Sequence, residues 1–207
     1  MNGNSENARR NLRRARAITG SEDARSVYAK WAADYDRDVF STLKVTGTNT
    51  IADLLHDHTA DVAGARVLDA GCGTGAVAAR LKVHGFDLID GVDLSPEMLK
   101  VAQAKQLYRT LITADLNQPL DLPQPYTAIV SAGTFTTGHV GAAGFHNLFA
   151  HLQPNGLMAC VIANPVWQRD RFDAVIDKLP LAILADRIEA TIPDGEPDAH
   201  MLVVRRT

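Results

Sequence analysis

The chain has 207 residues, 46% of them hydrophobic and 22% charged, with a formal net charge of −3. That length suits one domain with a full core, and no apolar run approaches the ~20 residues of a membrane span. The two cysteines, Cys72 and Cys160, have neither zinc-site spacing nor the number of a disulfide framework, and no apolar segment follows the N-terminal arginines as it would in a secretory leader; the expected setting is cytoplasmic.

The charge is unevenly spread. Residues 1–16 carry Arg9, Arg10, Arg13, Arg14 and Arg16 against Glu6, a local +4, which leaves −7 on the rest. Arg9/Arg13 and Arg10/Arg14 would repel one another on a helix, so residues 1–20 are expected to form a solvated, partly disordered basic arm, with contact to a polyanion as its functional alternative. The acidic remainder disfavours a nucleic-acid groove. Residues 21–59 read as helical: Val27, Trp31 and Tyr35 recur at a spacing of four, as do Ile51 and Leu55, with Leu54 beside them, and KVTGTNT breaks the segment in two. From Gly64 onward, short apolar strands alternate with amphipathic segments. Strands are expected at 66–71, 88–93, 110–114 and 126–131. Helices are expected after the first two, one closing at Gly85 and one opening with Ser95 as N-cap and Pro96 at its first position. A third helix, GFHNLFAHLQPNG, stops at Pro154 and Gly156. A strand over 157–163, a helix over 167–179 and strands at 183–192 and 200–206 complete the chain. The alternation implies a parallel sheet covered on both faces; only a loop separates the last two strands, so they should pair antiparallel.

The stretch RVLDAGCGTGAVAARL ends a buried strand in three alternating glycines, Gly71, Gly73 and Gly75. They allow close backbone approach to a ligand, and the helix starting near Gly75 directs free N–H groups into the same crevice. GCGTGA also satisfies the dinucleotide pattern GxGxxA, which keeps an NAD-dependent oxidoreductase open as an alternative. Three acids favour a different guest. Asp69 puts negative charge two residues before the first glycine, which suits an ammonium or sulfonium better than a pyrophosphate. Asp93, in GVDLS, is placed to accept from ribose hydroxyls, and Asp115 from an adenine amino group. Acids after three successive strands describe a nucleoside with a cationic, amino-acid-like tail, as in S-adenosylmethionine (SAM).

VLDAGCGTG, GVDLSPEML, TADL and YTAIVSAGTF, in that order, resemble the successive motifs of class I SAM-dependent methyltransferases across residues 60–165. The resemblance implies a Rossmann-like α/β fold with a seven-stranded sheet in the order 3-2-1-4-5-7-6 and strand 7 antiparallel. It implies that Asp69, Gly71, Cys72, Gly73 and Gly75 hold the methionine moiety, Asp93 the ribose, and Leu94 and Met98 the adenine face. Asp115 and the Leu116 N–H would read the adenine edge, and Ser131 would lie beside the methionine end. YAKWAADYDRDV and SAGTFTTGHVG are further similar to the Williams–Beuren-region methyltransferase-like proteins and their bacterial relatives. This implies an N-terminal helical lid over residues 21–60, covering a core at 64–207, with Tyr28, Trp31 or Tyr35 closing the pocket.

A sulfonium methyl is already electrophilic, so alignment matters most and a base is needed only for an acceptor that remains protonated. His139, the titratable group of the loop after the fourth strand, is the candidate base. Thr134, Thr136 and Thr137 are placed to orient a polar substrate or to serve as turn residues, and Phe135 and Trp167 to line a compact apolar pocket. No Asn/Asp-Pro-Pro-Tyr-like motif follows the fourth strand and no metal-ligand cluster is evident, so the expected acceptor is a small molecule with an O, N or S nucleophile. A non-catalytic SAM-binding protein that uses the arginine arm for a partner is the remaining alternative.

Overall fold

The structure, a computed structural model, describes residues 3–122 and 125–207. Seven strands form one sheet in the order β3-β2-β1-β4-β5-β7-β6, with β1 at Arg66–Ala70, β2 at Leu88–Asp93, β3 at Thr110–Thr113, β4 at Tyr126–Phe135, β5 at Leu152–Ala163, β6 at Leu181–Glu189 and β7 at Ala199–Arg206. The pairs from β3 through β5 are parallel, and β7 runs antiparallel to both β5 and β6. Strand order and the antiparallel final strand both match the expectation.

The parallel strands are apolar on both faces because both faces are covered. Leu68, Ile129, Phe135, Met158 and Leu202 enter one core with Phe145 and Phe172; Val67, Val130, Ala159 and Met201 enter the opposite core with Ile51, Leu55 and Leu81. Period-two alternation sorts the residues: Val67 to one side, Leu68 to the other. The covering helices are α3 (Gly47–His58), α4 (Ala76–Val83), α5 (Pro96–Ala104), α6 (Ala142–Ala150), α7 (Asn164–Asp170) and α8 (Phe172–Ile176). Their boundaries refine the sequence reading. β4 runs on to Phe135, β5 already begins at Leu152, and the helix expected over 167–179 divides at Arg171, whose φ of 52° ends α7.

The N-terminal region departs most from expectation. Residues Gly3–Arg16 form α1, and Ser21–Trp31 form α2, followed by a π-helical turn at Arg37–Thr42. The arm is therefore a docked helix rather than a solvated tail; Met1 and Asn2 lie outside the described residues. The physical reason is a narrow stripe of small apolar residues. Ala8, Leu12 and Ala15 follow i, i+4, i+7 spacing, and all five arginines fall on the opposite, exposed side. Ala15, Ile18, Ala24, Trp31 and Val39 make a third, smaller core. At its centre is the fully buried Asp38. Its Oδ2 accepts from Trp31 Nε1 at 2.9 Å and from Asn11 Nδ2 at 3.0 Å, and its Oδ1 from Arg37. Burial alone would raise this carboxyl, but the hydrogen bonds from Trp31, Asn11 and Arg37 outweigh it and hold the pKa below its ordinary value.

Candidate cofactor and acceptor site

In open α/β sheets ligands sit outside the carboxyl ends of the strands where the order reverses, here between β1 and β4. β1 ends in the glycine loop. Gly71, with φ of 73°, turns the chain against the Thr134 side chain, where a Cβ would collide. The Gly71 and Cys72 N–H groups donate to Val92 O at 2.8 and 3.0 Å, stitching the loop to β2. Asp93, at the end of β2, accepts from Gly73 N at 2.8 Å through Oδ2 and from Ser95 N at 2.8 Å through Oδ1. Burial raises its pKa, while those backbone donors oppose the rise. Ser95 then caps α5, accepting from Met98 N at 3.3 Å with Pro96 at the first helical position.

These elements wall an open cavity, placed where small-molecule sites of α/β sheets form. Gly71, Gly73, Asp93, Leu94, Met98, Asp115 and Leu116 all line it, and so do Tyr28, Tyr35 and His139. Among the described lining residues there are two carboxylates and no lysine or arginine, so the charge suits a cationic guest and opposes a pyrophosphate. Asp115 is already engaged: Oδ2 accepts from Ser21 Oγ at 2.7 Å and Oδ1 from Asn117 N at 2.9 Å. Each carboxylate oxygen has a second lone pair, so an adenine amine can still be met.

Asp69 lies beneath the loop rather than in the wall. It is fully buried; Tyr108 Oη donates to its Oδ2 at 2.7 Å, and its Oδ1 has no hydrogen-bond partner among the described residues. Burial pushes its pKa up to about 7 against the opposing hydrogen bond from Tyr108. An orphaned buried carboxylate oxygen costs about 1–3 kcal/mol or more; Asp69 is absent from the cavity lining, so its charge acts on a ligand through the loop rather than by contact. The acid-lined cavity and the glycine floor together fit SAM.

On the far wall, Tyr28 Oη lies 3.0 Å from His139 Nε2, and His139 Nδ1 lies 3.0 Å from both the Thr137 carbonyl and Thr136 Oγ1. A carbonyl can only accept, so Nδ1 carries the proton and Nε2 accepts from Tyr28. Burial lowers the His139 pKa, which keeps the ring neutral near pH 7; burial likewise raises Tyr28.

Several expected site residues take other places. Trp31 turns away from the cavity to Asp38. Phe135 is fully buried among Phe145 and Phe172, because strand alternation sends Thr134 to the cavity and Phe135 to the core. Trp167 stacks on His200 at 3.7 Å and on Phe172 at 5.6 Å. Ser131 is buried and donates to Ala70 O at 2.7 Å, pinning β4 to the start of the loop. Cys72 is buried beneath the loop, Gly75 abuts Tyr108, and Thr136 backs His139. Thr134, one of the three threonines named for a polar substrate, lines the cavity; Ser21, Ala24, Asn117 and Val140 also line it and were not anticipated. The first two had a signal: Ser21, Ala24 and Tyr28 are spaced i, i+3, i+7 and share one helical face. Tyr108, which binds Asp69, carried none.

Residues 67–156 match a methyltransferase-domain family. The chain is 32% identical over 180 residues to human methyltransferase-like protein 27, covering 84% of this chain and 73% of the relative. It is 29% identical over 130 residues to a malonyl-[acyl-carrier protein] O-methyltransferase of Bacillus cereus, covering 61% of this chain and 47% of that protein. The SAM-bound magnesium protoporphyrin IX methyltransferase of Synechocystis PCC 6803 superposes with a TM-score of 0.71 at 17% identity, covering 90% of this chain and 97% of that one, which speaks to fold. With the acid-lined cavity at the carboxyl edge of a 3-2-1-4-5-7-6 sheet, these matches set aside the oxidoreductase alternative. The chain belongs to the class I SAM-dependent methyltransferases, with SAM as its cofactor.

Proposed function

We propose that this chain transfers the methyl group of SAM to an O, N or S nucleophile on a small molecule held against Tyr28 and His139. The observation that carries the reading is the Tyr28–His139 hydrogen bond in the wall of the cavity that the glycine loop also lines. Donor and acceptor share that one cavity, which favours a compact acceptor.

On this reading the backbone of Gly71 and Gly73 lies along the cofactor's amino-acid end, Asp69 supplies negative charge from beneath that loop, and Asp93 accepts from the ribose. Leu94 and Met98 pack on the adenine, with Asp115 and the Leu116 N–H at its edge; Tyr35 closes the wall beside Tyr28. Cys72, Gly75 and Ser131 act one layer back by shaping the loop. Bound SAM supplies an electrophilic methyl, so the protein's work is alignment and water exclusion. For an acceptor that is protonated at neutral pH, the acceptor proton passes to Tyr28 Oη as the Tyr28 proton passes to His139 Nε2. The nucleophile gains the methyl, the imidazole carries the proton, and the ring then returns it to water.

Calorimetry with S-adenosylhomocysteine (SAH) tests the cofactor half. Asp93→Ala should weaken binding at least tenfold, about 1.4 kcal/mol; unchanged affinity removes Asp93 from the site. Thermal-shift comparison of SAM, SAH and NAD should show stabilisation by the first two alone.

A further inference from the structure

The cavity leaves the most strongly charged surface of the molecule without a role. Arg9, Arg10, Arg13, Arg14 and Arg16 are all exposed on α1, and none has an ion pair among the described residues. At 100° per residue they cover roughly half the helix, centred opposite the docked Ala8–Leu12–Ala15 stripe. Two like-charge i,i+4 pairs, Arg9/Arg13 and Arg10/Arg14, repel one another along the helix. The rest of the chain carries −7, yet none of those acids forms an ion pair with the face among the described residues. Along the same surface Arg14, Asp23 and Lys30 border a cleft between α1 and α2 that reaches Trp31. The end of this helical segment adjoins the acceptor wall, because the Ile18 carbonyl packs on Gly138, next to His139, so closely that a Cβ there would collide.

We propose that the arginine face of α1 docks an acidic protein, through a helix bearing carboxylates along one side, and so brings a partner to the mouth of the cavity. From Arg9 to Arg16 the face runs about 10 Å, two turns, the length over which glutamates at i, i+3, i+4 and i+7 line up. The planar guanidinium fork matches carboxylates two-pronged. No aromatic or large aliphatic side chain of α1 stands on the face, since its apolar residues are docked inward. That removes the stacking platform a single-stranded nucleic acid uses and the apolar anchor of an interfacial helix. The −7 remainder repels an extended polyanion, whereas a partner with a small acidic footprint meets only the arginines.

The binding does not depend on the methyl-transfer reading and is measured without turnover. Three labelled probes are titrated into the full chain: a helical peptide with glutamates along one face, a duplex RNA of similar length, and phosphatidylserine-containing vesicles. The glutamate peptide should bind best, by about tenfold or more, and should weaken as salt is raised. Arg9→Glu with Arg13→Glu should reduce its affinity at least about tenfold, while Arg9→Lys with Arg13→Lys should retain part of it. SAH affinity should be unchanged in both pairs, which reports that the fold is intact. RNA or vesicles binding as tightly as the peptide, a peptide that fails to bind at low salt, or charge reversal without effect would each overturn the proposal.

Discussion

The buried carboxylate of Asp38 ties α1, α2 and the π-helical turn into one unit, and that unit contributes Ser21, Ala24, Tyr28 and Tyr35 to the cavity. Asp38→Ala removes the acceptor of the Trp31 Nε1–H, and Trp31 is only 4% exposed. An orphaned buried donor costs about 1–3 kcal/mol, and the partly exposed Asn11 amide adds a smaller amount after hydration, so about 2–4 kcal/mol is expected. Asp38→Asn is milder. With its carbonyl turned toward Trp31 and Asn11 both bonds survive, and the amide nitrogen then faces the Arg37 donors. Arg37, half exposed and still paired with Asp34, can swing to water and let water reach that nitrogen; about 1 kcal/mol is expected. Native-state hydrogen exchange localises the effect: amides over residues 3–43 should lose protection in Asp38→Ala while those of β1 and β4 keep theirs, and SAH affinity should fall because the unit is docked for a smaller fraction of the time. Equal damage from the two substitutions, or protection lost evenly across the sheet, would refute the assignment of Asp38 as a local tie.

Two further outcomes follow from the titrating groups. Asp69 has a folded pKa of about 7 against an ordinary 3.8, so its contribution to stability is fully present below 3.8 and lost as pH rises through about 7; Asp69→Asn should flatten that part of the Tm profile. A cofactor ammonium across the loop from Asp69 would draw the proton off, so SAH binding near pH 7 should release protons, measured by calorimetry in buffers of different ionisation enthalpy, and Asp69→Asn should abolish the release. For His139 the shift is downward from 6.5, so the stability contributed by the neutral ring is present above 6.5 and declines as pH falls. Tyr28→Phe and His139→Ala should each lower kcat about 10²-fold or more for a protonated acceptor; wild-type rates at every pH would remove both from proton transfer.

The sheet was legible because parallel strands covered on both faces read as unbroken apolar runs, such as RVLDA and LMACVIA, and because only a loop joins β6 to β7. The glycine loop and Asp93 were legible because their spacing serves a backbone geometry. The far wall was harder. Val27, Trp31 and Tyr35 read as one stripe at a spacing of four, but four residues turn a helix by 400°, so the series drifts round the axis and Trp31 ends at Asp38. Tyr28 follows Ser21 by seven residues and returns to the same face. Phe135 was misplaced because β4 runs longer than its most apolar stretch, and each added residue alternates side. In α1 the arginines dominated the reading, while alanines, which bury little area, left a faint apolar signal.

The ties between the N-terminal unit and the sheet also bear on turnover. Besides Ser21–Asp115 and Tyr28–His139, Asp36 accepts from both Thr74 Oγ1 and Lys105 Nζ. On the proposed site, fresh donor and spent donor pass behind this unit in every cycle. Each tie is a side-chain bond that water can replace at a net cost of about 0.5–1.5 kcal/mol, set beside the packing of Leu94 on this unit and of Ile18 on Gly138. If opening of this unit limits exchange, as lid motions do in many enzymes, loosening one tie should quicken product escape while making each methyl donor easier to lose unused.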